Sequence, residues 1–276
     1  MIGKTKIVGE IGVNHLGNEE KALKIIDEFK DFVDYFKVQI RTPEICVPKH
    51  MWDKTKMIDG ERMSYIDYKK RNELKWDDIF KKAGIPREKW FASTWDLPAL
   101  ERYLWMNPKS KIVKFPASFS FKQEICDDFL SYIPKDWQIF MSLPIIENPQ
   151  SFLIFERLRK IYFQHIIPYL TFMTYSSGKF DVETMKNFVK LKDDYGQVGY
   201  SSHSGILKDL IQAIMLGFDY LEVHIATSEC KYSSDFRCSI LPLQMAHLHL
   251  FFEENTYSYE EVDWEKIKSL IPERWK

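Results

Sequence analysis

QVGYSSHSGILKDLIQAIMLGFDYLEVHIA, residues 197–226, reads as one strand–helix–strand unit. Gln197–Ser202 is a short β-rich run. Ile206, Leu207, Leu210, Ile211 and Ile214 then recur at the spacing of one helix face, and Gly217 is the residue type that ends helices. Tyr220–Ala226 is β-rich again. A histidine stands at the end of each strand, His203 in the first and His224 in the second.

Working outward, the same alternation fills the chain. Earlier strands are expected at Lys6–Val13, Tyr35–Ile40, Trp90–Thr94, Ile112–Ala117, Gln138–Leu143 and Tyr169–Tyr175, making eight with the two above. Helical patterns lie between them. Ala22, Leu23, Ile25, Ile26, Phe29 and Phe32 share a face behind Asn18 as cap. Asp96 with Pro98, Asn148 with Pro149, and Asp181 mark further helix starts, and Met245–Phe252 begins the last one. Eight strand–helix repeats in about 250 residues are the pattern of a (β/α)8 TIM barrel, an α/β fold. An open doubly wound sheet has fewer strands, and no glycine-rich phosphate loop follows the first strand. Residues 41–89 are too long for one crossover. They are expected to form an inserted βα segment after strand two, over the barrel mouth, within a single domain spanning 1–276.

Bulk composition narrows the partners. Net charge is −1 and no basic stripe occurs, so nucleic acid is not an expected partner. No run of about 18 apolar residues exists, and the N-terminus lacks the features of a signal peptide, so no membrane span is expected. Cys46, Cys126, Cys230 and Cys238 show no CxxC spacing and read as reduced thiols, which suits a cytoplasmic protein.

Barrel enzymes carry their chemistry at the C-terminal strand ends. Those ends here hold Glu10; Lys37, Gln39 and Arg41; Ser93 and Thr94; Lys114 and Ser118; Ser142; Thr174; Ser201, Ser202 and His203; and Glu222 with His224. Lysines inside strands must leave water unless an anion meets them. Lys37 and Lys114 could share a phosphate or carboxylate, with the hydroxyls of Thr94, Ser142 and Ser201 completing a cradle. Alternatively each lysine pairs with a carboxylate of the protein, Glu10 or Glu222. Two histidines at matched depth on neighbouring strands can share a divalent metal with open positions. His247 and His249, two apart on a helix, read as structural.

At this point several motifs resemble the sialic acid (N-acetylneuraminate) synthase family. GEIGVNHLGN (9–18) resembles its first-strand motif. FKVQIRTPEICVPKHMWDK (36–54) with MSYIDYKKRNEL (63–74) is similar to the second-strand segment of one branch. FASTWD, VKFPAS, VGYSSHSGI and LEVHIATSE are similar to the third, fourth, seventh and eighth strands, and SSDFRCSILP to an Asp-x-x-x-Ser segment that places Asp235. The resemblance runs from about residue 8 to about 245.

It implies a metal-dependent (Mn2+ or Mg2+) condensation of phosphoenolpyruvate with an aldehyde amino sugar, giving a sialic-acid-like 2-keto sugar acid and releasing phosphate. It implies metal ligation by His203 and His224, and substrate binding by Lys37, Lys114, Thr94, Ser142 and Ser201. Glu10 and Asp235 would contact the sugar or move protons, and Gln39 would orient a substrate. A homodimer is the implied assembly. The chain departs from the family at Lys114-Phe-Pro-Ala117, where Ser118 would replace a lost hydroxyl. It departs again at Phe172-Met-Thr174-Tyr175 on the acceptor side, at Met141–Ile145, and at Val223. No counterpart of the C-terminal antifreeze-like domain of many members is expected within this sequence. These departures motivate a second expectation: a degenerate barrel that binds a phosphorylated or carboxylated ligand in a regulatory role without turnover. A third is another metal-dependent reaction in the same pocket.

Overall fold

A computed structural model describes residues 5–162, 165–172 and 181–254. Eight parallel strands close into a barrel: β1 (Lys6–Glu10), β2 (Tyr35–Ile40), β5 (Trp90–Thr94), β6 (Ile112–Phe115), β7 (Gln138–Leu143), β8 (His165–Thr171), β9 (Gly199–Ser202) and β10 (Tyr220–Ile225). β1 pairs with both β2 and β10, which closes the sheet. A two-residue strand, β11 (Ser239–Ile240), extends β10 at its end. β3 (Thr55–Ile58) and β4 (Glu61–Ser64) form a separate antiparallel hairpin.

The expected helix caps are in place. Asn18, Asp96 and Asp181 each accept a backbone N–H in the first turn of their helices, and Gly217 ends helix Leu207–Leu216 in left-handed conformation. Strand edges moved. β1 stops at Glu10 because Gly12 turns the chain with φ 56°. β8 begins at His165 rather than Tyr169, even though Pro168 lies inside it. Residues 173–175, expected to finish that strand, lie outside the described residues.

Alternation along each strand sends one set of side chains inward. At the N-terminal end the inward set is aromatic. Phe140 packs against Phe91 (5.3 Å between ring centroids), Tyr169 (4.8 Å) and Tyr220 (4.8 Å). Gly199 sits where a Cβ would stand 2.5 Å from the Tyr169 ring, so only glycine leaves room for that ring. This aromatic floor closes the barrel below and carries the site above it.

The insertion after β2 holds helices Pro43–Cys46, Tyr65–Arg71 and Trp76–Lys82 with the β3–β4 hairpin. It is anchored on the loop after β1 by a small apolar cluster of Leu16, Ile58 and Tyr68. All four cysteines are free thiols. No described helix is long and apolar enough to cross a membrane.

Phe140 is fully buried at the centre of the floor. Phe140→Ala is expected to cost about 3–5 kcal/mol, as large aromatic truncations in cores do. Urea unfolding followed by circular dichroism reads this as a lower midpoint at unchanged slope.

Candidate active site

A layer of buried charge lies directly above the aromatic floor. Lys37 enters from β2, Lys114 from β6, Glu222 from β10 and Glu10 from β1, all inward by register. Glu222 accepts hydrogen bonds from Lys37 Nζ (3.0 Å), Lys114 Nζ (2.6 Å) and Ser201 Oγ (2.8 Å). Lys37 also pairs with Glu10. The Lys114 ammonium stands over the Tyr169 ring, 4.6 Å from its centroid. All four charged residues are at most 5% exposed. Of the two sequence readings for the lysines, pairing with Glu10 and Glu222 describes their contacts within the chain.

The electrostatics follow from burial. Desolvation pulls Lys37 down to about 7, with Glu222 raising it and Lys114 adding to the fall. It lowers Lys114 too, against the pull of Glu222. For Glu222 desolvation acts upward, but Lys114 and Lys37 outweigh it and hold the carboxyl well below the usual carboxylate range. Glu222 is therefore held as an anion between two lysine amines whose charged form burial opposes and Glu222 favours.

Above this layer is a cavity of about 250 Å³. Its wall includes Lys37, Gln39, Ser93, Lys114, Ser118, Ser142, Thr171, Ser201, His203, Glu222, His224 and Asp235. Nine of the twelve candidate site residues are thereby brought together. Glu10 is not on the wall. It lies fully buried behind Lys37, with Oε1 accepting from Gly12 N–H (2.8 Å). Thr94 is also buried away from the wall, and Ser93 stands there instead. Ser93 pairs in register with inward Gln39 and Lys114, so its neighbour Thr94 faces out. Thr174 lies outside the described residues.

His203 and His224 face each other with ring centroids 5.3 Å apart. His203 Nδ1 lies 3.1 Å from the Phe172 carbonyl, a contact that leaves Nε2 with its lone pair when Nδ1 donates. His224 Nδ1 is buried without a hydrogen-bond partner and lies 3.6 Å from Asp235 Oδ2. Burial pulls His203 down to about 3, with His224 reinforcing the fall, and burial lowers His224 as well, so both imidazoles are neutral. Neutral imidazoles beside a carboxylate are the donor types a divalent cation takes. Atoms bound about 2.1 Å from one ion lie roughly 3–3.4 Å apart, close to the His224–Asp235 spacing. Gly12 opens this corner: a Cβ there would sit 2.4 Å from Asp235 Oδ2 and 3.0 Å from His224 Nδ1. The donor set fits a divalent cation in type, although among the described residues no three His, Cys, Asp or Glu side chains are already gathered into a metal cluster.

The serines flanking His203 serve a different partner from Ser201. Ser202 Oγ (2.5 Å) and Ser204 Oγ (2.7 Å) both donate to Asp209, as does the Tyr200 hydroxyl (2.9 Å). Asp209 is fully buried in the first turn of helix Leu207–Leu216. One carboxylate thus ties down the backbone on both sides of the histidine.

Arg41, Lys69 and Thr171 are among the wall residues that had no role in the sequence reading. Arg41 lies 4.7 Å over the Trp95 ring and bonds Gln39. Lys69 comes from the insertion and Thr171 from β8. Arg41 was visible as a charge at a strand end. Lys69 had no signal, since YKKR reads as a solvated run.

The model of the NeuB family matches residues 25–260. The chain belongs to the NeuB family. Pseudaminic acid synthase of Campylobacter jejuni subsp. jejuni serotype O:2 is 27% identical over 257 aligned positions, covering 84% of this chain and 70% of that protein. The same enzyme from serotype O:23/36 is 26% identical, with the same coverage. In fold the chain resembles N-acetylneuraminic acid (sialic acid) synthetase from Leptospira borgpetersenii serovar Hardjo-bovis. That match has TM-score 0.71 and 18% identity, covering 97% of this chain and 90% of that one. A 3-deoxy-D-arabino-heptulosonate 7-phosphate synthase from Thermotoga maritima matches with TM-score 0.59 and 14% identity, covering 92% and 87%.

Asp209→Ala removes the acceptor of three hydroxyls, two of them buried, and is expected to cost roughly 2–3 kcal/mol. Asp209→Asn, which keeps an acceptor oxygen, should lose less. Chemical denaturation of the three proteins checks both the loss and the order.

Proposed function

We propose that the cavity condenses phosphoenolpyruvate with the aldehyde of an amino sugar. A carbon–carbon bond forms between C3 of phosphoenolpyruvate and the aldehyde carbon, water adds at C2, and the C2–O bond to phosphate breaks. The product is a 2-keto sugar acid. The carrying observation is the co-location of two lysines, two neutral histidines and a carboxylate around one cavity in a chain of this family. The names of the curated relatives support the same reaction class.

His203, His224 and Asp235 would hold a divalent cation, Mn2+ or Mg2+, which supplies Lewis-acid polarisation of the acceptor carbonyl. Lys37 and Lys114 bind the phosphate and carboxylate of phosphoenolpyruvate. Glu222 spaces the two ammonium groups and limits their mutual repulsion in the absence of ligand. Ser93, Ser142 and Ser201 offer hydroxyls to the same oxygens, and Ser118 stands near the fourth-strand position where the family's hydroxyl is missing. The pre-set cations offset charge that builds on the departing phosphate without reorganising. Glu10 fixes the Lys37 ammonium from behind and touches neither substrate.

The internal pairing of both lysines also favours a second reading, a barrel that binds an anion without turnover. Phosphate release separates the two. Protein given Mn2+, phosphoenolpyruvate and a panel of N-acetylated hexosamines is expected to release phosphate with at least one sugar. Lys114→Met should lower that rate by at least 100-fold while the circular dichroism spectrum is kept. Binding of phosphoenolpyruvate with no phosphate released from any sugar would leave only the second reading.

A further inference from the structure

Besides the buried lysine pair, the site has a second cluster of cations at its mouth. Arg41 and Lys69 are on the cavity wall. Lys69 Nζ lies 5.3 Å from the Tyr65 ring centroid and 5.5 Å from that of Tyr68, and Lys56 Nζ lies 5.2 Å from each of the same two rings. Two ammonium groups thus share one aromatic pair. Among the described residues neither has a carboxylate within ion-pair distance. Of the nearby carboxylates, Glu73 pairs with the cluster's own Arg41, and Asp235 is turned to the loop after β1 and to His224. Glu73 accepts the Arg41 backbone N–H (2.9 Å) and stands 3.7 Å from Arg41 Nε. Asp235 accepts from Val13 N–H (3.2 Å) and faces His224. The wall beside Asp235 continues with Ser234, an exposed hydroxyl.

Like charges converge at a cost unless an anion joins them. Arg41 follows Lys37 by four residues along the β2 direction, a Cα rise of about 13 Å at 3.3 Å per residue. Arg41 thus joins the cavity wall further along the chain than Lys37, with Gln39, which its guanidinium bonds, between them. The insertion, which supplies Lys56 and Lys69, brings positive charge to the mouth end.

We propose that Arg41, Lys56 and Lys69 form a second anion subsite at the barrel mouth, taken by a phosphate or carboxylate that the acceptor sugar carries remote from its reacting aldehyde. Calling the ligand an acceptor rests on the synthase reading above; the anion binding itself does not. The planar guanidinium, stacked on Trp95, sets the orientation of the bound group, and the two ammonium groups supply charge.

Calorimetry tests this without turnover. The probes are an N-acetylhexosamine, its 6-phosphate, the corresponding hexosaminuronate and inorganic phosphate. Each is titrated into wild type, Lys69→Met and Lys69→Arg, and phosphoenolpyruvate is titrated separately into all three. At least one charged sugar should bind tenfold or more tighter than the neutral sugar. Lys69→Met should remove that preference, Lys69→Arg should restore most of it, and phosphoenolpyruvate affinity should stay within twofold throughout. Equal affinity for charged and neutral sugars overturns the proposal. So does a preference that survives Lys69→Met, or a tenfold loss of phosphoenolpyruvate affinity in that variant, which would assign the mouth cations to phosphoenolpyruvate. Inorganic phosphate binding as tightly as the sugar phosphate would show that no acceptor is recognised there. A charged-sugar preference without phosphate release from any sugar supports the subsite and counts against the synthase reading alone.

Discussion

Four buried charges inside the barrel, Glu10, Lys37, Glu222 and Lys114, constrain everything above and below them. A barrel interior of this width is ordinarily filled by branched apolar side chains. Here the middle layer is ionic, and each charge is tolerable only because its partners stand at hydrogen-bond distance. The aromatic floor keeps water out from below, and Tyr169 faces the Lys114 ammonium with its ring. Above, the layer presents the two lysine amines to a cavity whose walls also carry hydroxyls, imidazoles and the Asp235 carboxylate. Removing one member leaves another charge buried and uncompensated, so the layer acts as a unit.

The fold was legible because period and punctuation agree along the chain. Each strand is a short β-rich run, and Asn18, Asp96, Asp181 and Gly217 mark helix ends for reasons of local hydrogen bonding. Errors fell where a local rule misleads. Pro168 argues against a strand interior, yet β8 runs through it. Lys6–Val13 is continuous in β propensity, but the backbone at Gly12 turns the chain after Glu10.

The site was legible down to residue type and strand, and less so in orientation. Ser93 and Thr94 are equivalent in composition, and only the register with Gln39 and Lys114 tells which one faces inward. The serines around His203 looked alike in sequence. The structure divides them: Ser201 goes to Glu222, whereas Ser202 and Ser204 go to Asp209. Lys69 could not be found from sequence, because its place depends on how the insertion folds back over the mouth. The NeuB family match fixes the kinship of the chain.

The measurement that bears most directly on the site is a calorimetric titration of phosphoenolpyruvate into metal-stripped protein, with and without Mn2+, on wild type and His203→Ala. If His203 and His224 hold a cation beside the lysine layer, Mn2+ should tighten phosphoenolpyruvate binding at least tenfold in wild type and have no effect in the variant. Affinity indifferent to both Mn2+ and the substitution would mean that the two histidines are structural and that the lysine layer does not work with a metal.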